Sequence, residues 1–191
     1  MIESRLMMDK FREKTMHTEH IFSGTIIDVQ VDDVLLPDGN KSKRELVKHP
    51  GAVSIIPMTA DGKLVLVEQY RKPLERSIIE LPAGKIEDAE APEVTAIREL
   101  EEETGYTTDK LYYVGSFATS PGFADEIIYL YYTDDIVPLD YNVPGDEDEF
   151  IEIHEVTLDE AEQYVKEERI FDAKTLYGLM YVKLKRMKQS C

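Results

Sequence analysis

A single predicted helix interrupts a long succession of predicted strands, and this order restricts the fold more than any other feature. Residues 92–104 favour a helix, with Pro92 tolerated in the first turn and Gly105 suited to end it. Two further helices are predicted later in the chain, one begun by a capping box at residues 157–160 and one capped by Asp172. The regular alternation of strands and helices that builds a parallel doubly wound sheet is missing. The predicted fold class is therefore α+β with a mixed sheet.

Turn signals lie among the predicted strands. Segment 21–34 is rich in β-branched residues and is followed by an Asp-Gly-Asn turn, which predicts a hairpin-like N-terminal element. An Asp-Gly pair at 61–62 separates two apolar runs, residues 52–59 and 63–69, and predicts a second hairpin. For residues 1–18 an amphipathic helix and a disordered tail fit equally well.

The chain is strongly acidic, with 22 lysines and arginines against 39 aspartates and glutamates and a formal charge of −17. Such a surface is repelled by phosphate backbones and anionic lipids, so we expect neither nucleic-acid nor membrane binding. No uninterrupted apolar stretch has the length of a signal peptide or a membrane span. Cys191 is the single cysteine, which excludes an internal disulfide. These features predict a cytoplasmic protein in which an anionic ligand needs local basic groups or metal ions.

Carboxylates crowd one side of the predicted helix. With about 100° of rotation per residue, Glu99, Glu102 and Glu103 cluster together on adjacent turns. The residues predicted to lie on the opposite, packing face are Val94, Ile97, Leu100 and Thr104. Like charges at this spacing repel by roughly a few tenths of a kcal/mol per pair, a cost that a bound cation would offset. Oxygen-only ligands suit Mg²⁺ or Mn²⁺ better than zinc, whereas a solvated face that binds nothing is the alternative.

The spacing around this cluster resembles the signature of the Nudix hydrolases. That signature places Gly, Glu, Arg-Glu, an aliphatic residue, Glu-Glu and Gly at fixed intervals. The matching residues are Gly84, Glu90, Arg98, Glu99, Leu100, Glu102, Glu103 and Gly105. Tyr106 departs from the signature at a packing position where an aliphatic residue is usual. The resemblance implies the Nudix fold, in which mixed β-sheets are packed between α-helices, with an N-terminal β-strand element.

The same resemblance assigns roles to the signature residues. The implied metal ligands are the backbone carbonyl of Ala83 and the carboxylates of Glu99, Glu102 and Glu103. The implied metal is Mg²⁺, with Mn²⁺ as a substitute. The resemblance also implies that Arg98 is a catalytic residue. Arg98 is expected to form an ion pair with Glu90 that fixes the preceding loop onto the helix. The alternative for Arg98 and Glu90 is a surface ion pair without a functional role.

A second resemblance is to the ADP-ribose pyrophosphatase branch of the family. That branch has a proline 16 residues after the second signature glycine, and Pro121 stands at this offset from Gly105. The resemblance extends from about Phe22 to the end of the chain. The substrate-binding residues it implies are Phe22, Arg44, Glu45, Arg71, Pro121, Gly122 and Glu126. Phe22 also fits a core position in a strand, and the two arginines also fit the surface.

The branch resemblance implies a reaction and a catalytic base. Water attacks the diphosphate of ADP-ribose, which gives AMP and ribose 5-phosphate. The base is expected in the acidic loop 140–149, with Glu147 as the first choice and Glu149 as the second. The alternatives are a pyrophosphatase for other nucleotide sugars and a non-catalytic Nudix-fold sensor that binds ADP-ribose.

The resemblance also implies a domain division and a partner. We expect residues 1–50 to form an N-terminal strand element that serves dimerisation and residues 51–191 to form the Nudix hydrolase domain. In such a homodimer, the N-terminal strands reach across to the other subunit. Phe22, Arg44 and Glu45 would then serve the other subunit's site.

Overall fold

Strands outnumber helices in the computed structural model, which describes residues 10–141, 143 and 150–189. The strands are β1 (Lys14–Ser23), β2 (Asp28–Leu35), β3 (Lys41–Lys48), β4 (Ala52–Pro57), β5 (Leu64–Arg71), β6 (Arg76–Glu80), β7 (Ala83–Lys85), β8 (Tyr106–Thr107), β9 (Tyr112–Ala118), β10 (Ile127–Thr133), β11 (Val137–Pro138) and β12 (Ile151–Val156). The helices are α1 (Pro92–Thr104), α2 (Leu158–Lys166) and α3 (Ala173–Gln189), with a 3₁₀ turn at Lys72–Leu74. None of these described helices is both long and apolar enough to cross a membrane.

The first of two structural units contains the described residues up to Pro50 together with Ala118–Glu126. Strands β1, β2 and β3 form an antiparallel sheet in that order, and the predicted turn between β2 and β3 places Gly39 at a φ of 85°. Segment Ala118–Glu126 joins this unit through backbone hydrogen bonds to β3. Strand β1 begins at Lys14, so residues 14–18 form neither the amphipathic helix nor the disordered tail considered for residues 1–18.

The second unit contains the remaining described residues and holds the main apolar core. Its larger sheet has the order β7-β4-β10-β9, with β4 and β10 parallel, and a second sheet has the antiparallel order β12-β5-β6. Successive strand residues point to opposite faces. Ile55 therefore joins an apolar cluster with Ala96 of α1, whereas Ile56 joins one with Leu179 of α3. Mixed sheets lie between helices, which confirms the predicted α+β class.

The predicted hairpin around Asp61 and Gly62 forms only at its turn. Gly62 has a φ of 81°, and the N–H of Thr59 donates to the carbonyl of Lys63 at 2.9 Å. Beyond the turn β4 and β5 enter different sheets, so the prediction that they pair is wrong. Each is an interior strand of its own sheet, and other strands already occupy both of its hydrogen-bonding edges.

The helices begin where the capping signals predict. Helix α1 has a proline in its first turn and ends at Gly105, whose φ of 69° is left-handed. Thr157 and Glu160 form the capping box of α2. The side chain of Asp172 accepts a hydrogen bond from the N–H of Thr175 at 3.0 Å and so caps α3. These local signals fix the helix positions that the functional residues depend on.

Candidate active site

Helix α1 buries only part of the face that its sequence predicts, and it also buries two of the glutamates predicted to lie outside. Glu99 and Glu103 are only 9% and 6% exposed, whereas Val94 is 56% exposed. The prediction that Val94 faces the core is therefore wrong, although Leu100 and Thr104 are buried as expected. The reason is the segment before the helix, because β7 covers the side of α1 that carries the two glutamates.

Strand β7 brings its backbone against both buried carboxylates. The N–H of Ala83 donates to Oε2 of Glu103 at 3.0 Å. A side-chain carbon on Gly84 would overlap the carboxylate of Glu99, so a larger residue here would displace that carboxylate. Antiparallel pairing with Val53 of β4 holds β7 in place. The absence of a side chain at Gly84 thus lets the Glu99 carboxylate approach the backbone closely, whereas the φ of Gly84 is not left-handed.

Arg98 lies at the centre of what we call the signature cluster, which consists of Glu90, Arg98, Glu99, Glu102 and Glu103. Its Nη2 is 3.1 Å from Oε2 of Glu90, so the predicted Arg98–Glu90 pair is present. Its Nη1 is 2.8 Å from Oε1 of Glu99 and 2.9 Å from Oε2 of Glu102. Hydrogen bonding to Arg98 lowers the pKa of Glu90, and the same bond raises the pKa of Arg98.

The donor chemistry of the signature cluster fits a hard divalent cation. Three of the four carboxylates contact the single guanidinium, and the five side chains together have an excess of three negative charges. Mg²⁺ requires only one or two protein carboxylates, because it keeps water and takes substrate phosphate oxygens. Glu99 and Glu103, buried against the backbone of β7, supply that number. Among the residues described, no group of three or more His, Cys, Asp or Glu side chains is arranged so that it could hold a metal ion by itself.

Arg71, at the end of β5, is bound to a buried carboxylate. Its Nε donates to Oε1 of Glu80 at 2.6 Å, and 36% of its side chain is exposed. Glu80, at the end of β6, is 1% exposed and also binds Lys174 of α3. Sequence reasoning missed Glu80. The signal was a lone carboxylate inside the otherwise apolar run 78–81.

Three predicted substrate-binding residues lie on strands of the first unit. Phe22 of β1 is 57% exposed and lines a cavity of about 570 Å³ that also includes Lys48, so it does not belong to the core. Arg44 of β3 forms an ion pair with Glu13 at 2.5 Å, and this hydrogen bond raises the pKa of Arg44. Its neighbour Glu45 is exposed.

The other three predicted residues of the first unit lie in the loop that follows β9. Pro121 and Gly122 are exposed at a turn of this loop. The carboxylate of Glu126 accepts a hydrogen bond from the hydroxyl of Thr119 and lies 3.7 Å from Nε2 of His49. Glu126 is thus held by its own unit in a fixed orientation.

The structure groups some of the predicted site residues. The members in the second unit are Arg71, Ala83, Arg98, Glu99, Glu102 and Glu103, and those in the first unit are Phe22, Arg44, Glu45, Pro121, Gly122 and Glu126. The four predicted metal ligands and Arg98 come together at β7 and α1. The two candidates for the catalytic base, Glu147 and Glu149, lie outside the described residues.

Comparison with known proteins gives a consistent result. A profile of the NUDIX domain matches residues 48–177. The chain is 58% identical over 174 residues to a methanol dehydrogenase activator of Bacillus methanolicus, covering 91% of this chain and 94% of that one. It is 52% identical over 183 residues to an ADP-ribose pyrophosphatase of Bacillus subtilis (strain 168), covering 96% and 99%. The crystal structure of an ADP compounds hydrolase superposes with a TM-score of 0.80 over 94% and 96% of the two chains, at 20% identity, which shows a shared fold.

Proposed function

Because the chain belongs to the Nudix family, we propose that it hydrolyses the diphosphate bond of ADP-ribose and releases AMP and ribose 5-phosphate. The family and the fold expected from the sequence are confirmed. One observation carries the proposal: two buried carboxylates of the signature, Glu99 and Glu103, pack against the backbone of β7. The 52% identity to the ADP-ribose pyrophosphatase of Bacillus subtilis, over nearly all of both chains, supports ADP-ribose as the substrate.

The signature cluster is the proposed site of a divalent cation, Mg²⁺ or Mn²⁺. The residues proposed to hold it are Ala83, through its carbonyl oxygen, Glu99, Glu102 and Glu103. When bound, such a cation neutralises the diphosphate and stabilises negative charge on the leaving phosphate. Arg98 fixes the carboxylates of Glu99 and Glu102. The N–H of Ala83 fixes that of Glu103, so little reorganisation is needed during the reaction.

Proton transfer is assigned to the acidic loop 140–149. We propose Glu147 as the group that accepts the proton of the attacking water, with Glu149 as the second choice. A positioned carboxylate can act as a general base of this kind. Replacing the true base with glutamine lowers kcat and leaves KM nearly unchanged, so Glu147→Gln and Glu149→Gln distinguish the two choices.

The substrate contacts are proposed from the branch resemblance. They are Phe22, Arg44, Glu45, Arg71, Pro121, Gly122 and Glu126. The exposed ring of Phe22 suits stacking on adenine, and the guanidinium of Arg71 suits charge-assisted hydrogen bonds to phosphate. We further propose a homodimer in which the N-terminal element, residues 1–50, serves the other subunit's site while residues 51–191 form the hydrolase domain. A cytoplasmic location follows as a proposal from the charge and the single cysteine.

A second function is supported by one comparison. The 58% identical protein of Bacillus methanolicus is a methanol dehydrogenase activator, so a relative with most of this sequence acts on another protein. The corresponding candidate here is a Nudix-fold sensor that binds ADP-ribose and regulates a partner without turnover. All signature carboxylates are present in this chain, which favours hydrolysis. A pyrophosphatase for other nucleotide sugars differs only in the sugar-binding loops.

A substrate panel tests these functions. The full chain is incubated with ADP-ribose, NADH, nucleotide sugars and diadenosine polyphosphates, with and without Mg²⁺, and the products are separated by chromatography. We expect AMP and ribose 5-phosphate from ADP-ribose in the presence of Mg²⁺, with the highest kcat/KM of the panel. Tight binding of ADP-ribose without turnover, with or without Mg²⁺, would favour the sensor. A higher kcat/KM for another nucleotide sugar would replace the proposed substrate.

A further inference from the structure

Four charged side chains of alternating sign connect β5 to α3. We call the set of Arg71, Glu80, Lys174 and Asp172 the balanced chain. Nε of Arg71 donates to Oε1 of Glu80 at 2.6 Å, and Nζ of Lys174 donates to Oε2 of the same carboxylate. Lys174 also donates to Oδ1 of Asp172 at 3.0 Å. Each oxygen of Glu80 therefore has its own cationic donor.

The side chains of the balanced chain are buried to different extents, and Arg71 is the most exposed of them. The Glu80 side chain is 2% exposed and that of Lys174 is 10% exposed, whereas that of Arg71 is 36% exposed. The positive end of the series is thus the end that solvent, or an anion, can reach. The four charges sum to zero, but the guanidinium of Arg71 is more exposed than either carboxylate. An anion arriving from solvent therefore meets the positive charge of Arg71 first.

The contact through Nε also fixes the direction of Arg71. A guanidinium is planar, so a hydrogen bond at Nε sets the plane that holds the two terminal nitrogens. Phosphate oxygens are recognised best by such a pre-oriented fork, because little side-chain entropy is lost on binding. A long, partly exposed arginine without this contact would sample many rotamers.

We infer that Glu80 is a positioning residue that orients Arg71 toward the diphosphate of the substrate, with Lys174 and Asp172 holding Glu80 in place. The inference rests on the proposed function, in which Arg71 contacts the diphosphate. Glu80 itself touches neither the substrate nor the reacting atoms in this scheme. Its effect on binding must therefore pass through Arg71.

A double-mutant cycle on the full chain tests this dependence. The variants are Arg71→Ala, Glu80→Gln and the double variant, each measured for KM and kcat with ADP-ribose and Mg²⁺ and for ADP-ribose binding by calorimetry without added metal. We expect Arg71→Ala to weaken binding about 30-fold and Glu80→Gln about tenfold, with kcat changed less than KM. The double variant should bind no more weakly than Arg71→Ala alone. Multiplied effects, about 300-fold, would overturn the inference.

Two further variants keep the test decisive. If Glu80→Gln does not fold, the pair Glu80→Gln/Lys174→Met removes both buried charges together and takes its place in the cycle. Glu68→Gln is the matched control, because it removes a carboxylate of the same sheet that pairs with Arg169 at 3.0 Å. We expect Glu68→Gln to leave KM unchanged. A KM increase for Glu68→Gln equal to that for Glu80→Gln would show a general structural effect and overturn the inference.

The failure of the inference and the failure of the proposed function have different signatures. Binding of ADP-ribose without hydrolysis by the unmodified protein would refute the proposed function, while the calorimetric cycle would still decide the role of Glu80. Normal hydrolysis together with unchanged binding in Arg71→Ala would refute the positioning role and leave the proposed function standing.

Discussion

The signature cluster and the balanced chain both bury carboxylates in the second unit, yet they differ in charge. The signature cluster contains an excess of three negative charges, whereas the balanced chain sums to zero. A buried charge costs roughly several kcal/mol unless an opposite charge compensates it. A cation bound at the signature cluster, as proposed above, would therefore be stabilising, whereas the balanced chain already compensates its own charges. An excess of charge of one sign therefore indicates a binding site, whereas a group with balanced charges indicates a structural role, such as holding another side chain in position.

The two groups also differ in how the chain assembles them. The signature cluster comes from one loop and one helix, residues 84–105, so its spacing is visible in the sequence. The balanced chain joins residues from β5, β6 and the start of α3, and Glu80 and Lys174 are 94 positions apart. A local group is defined by sequence spacing, whereas a long-range group is defined by strand pairing and helix packing. Substitutions should separate these two behaviours.

The largest effect on activity is expected when one buried carboxylate of the signature cluster is neutralised. Glu103→Gln should lower kcat about 1000-fold, or about 4 kcal/mol, because a proposed cation ligand is lost. The free energy of unfolding of the metal-free protein should stay level or rise, because the substitution reduces an excess of like charge. Steady-state rates with Mg²⁺ and urea unfolding with a chelator measure the two effects.

Glu101→Gln is the matched control on the same helix, because it makes the same charge change outside the signature cluster. Glu101 accepts a hydrogen bond from Thr107 at 2.6 Å, and its substitution should leave kcat unchanged. Added Mg²⁺ should stabilise the unmodified protein by about 2.7 kcal/mol at 100 times its Kd, and should stabilise Glu103→Gln far less. Undiminished turnover in Glu103→Gln would refute the metal assignment.

Removing one member of the balanced chain should have the opposite effect on stability. Lys174→Met leaves the buried carboxylate of Glu80 with one cation in place of two, and we expect the free energy of unfolding to fall by about 3 kcal/mol. Urea unfolding with a constant m-value measures this loss. The variant Glu80→Gln/Lys174→Met should recover most of it, because neither charge then remains. Equal losses in the single and double variants would show that packing, rather than charge balance, determines stability here.

Sequence patterns predicted the local parts of the fold and of the site. The capping box of Thr157, the cap of Asp172 and the left-handed Gly105 all appear where the residue types indicate them. The Arg98–Glu90 pair, eight residues apart, also follows from spacing. In each case the interacting residues lie within one or two turns or one short loop, so few arrangements of the chain are available.

Long-range partners explain what the sequence patterns missed. The Asp-Gly turn forms, but sheet assignment for β4 and β5 depends on strands many residues away. Helical periodicity placed Val94 in the core and left the glutamates outside, because it does not include the strand that packs on α1. Glu80 was missed for the same reason, since Lys174 lies on α3. Non-local contacts thus decide which polar side chains are buried.

The smallest effect is expected at the one carboxylate of the signature cluster whose charge is well compensated. Glu90 accepts hydrogen bonds from Arg98 at 3.1 Å and from the Thr95 hydroxyl at 2.8 Å, and these lower its pKa below the ordinary value of 4.5. The folded protein therefore keeps this carboxylate charged at pH values where the unfolded chain binds a proton. Its contribution to stability is present above about pH 4.5 and is lost as the pH falls through the lower, folded-state pKa.

Glu90→Gln should accordingly lower the free energy of unfolding by about 1 kcal/mol at pH 7, in contrast to Glu103→Gln, which should not lower it. Part of the loss is offset because the substitution also reduces the excess negative charge. As the pH is lowered below 4.5, the stabilities of Glu90→Gln and the unmodified protein should approach each other, because the unfolded chain then binds a proton at Glu90 that the folded protein does not. Urea titrations with a chelator at several pH values measure this difference. If the difference in the free energy of unfolding between the two proteins stays constant down to pH 3, Glu90 acts through packing and not through its charge.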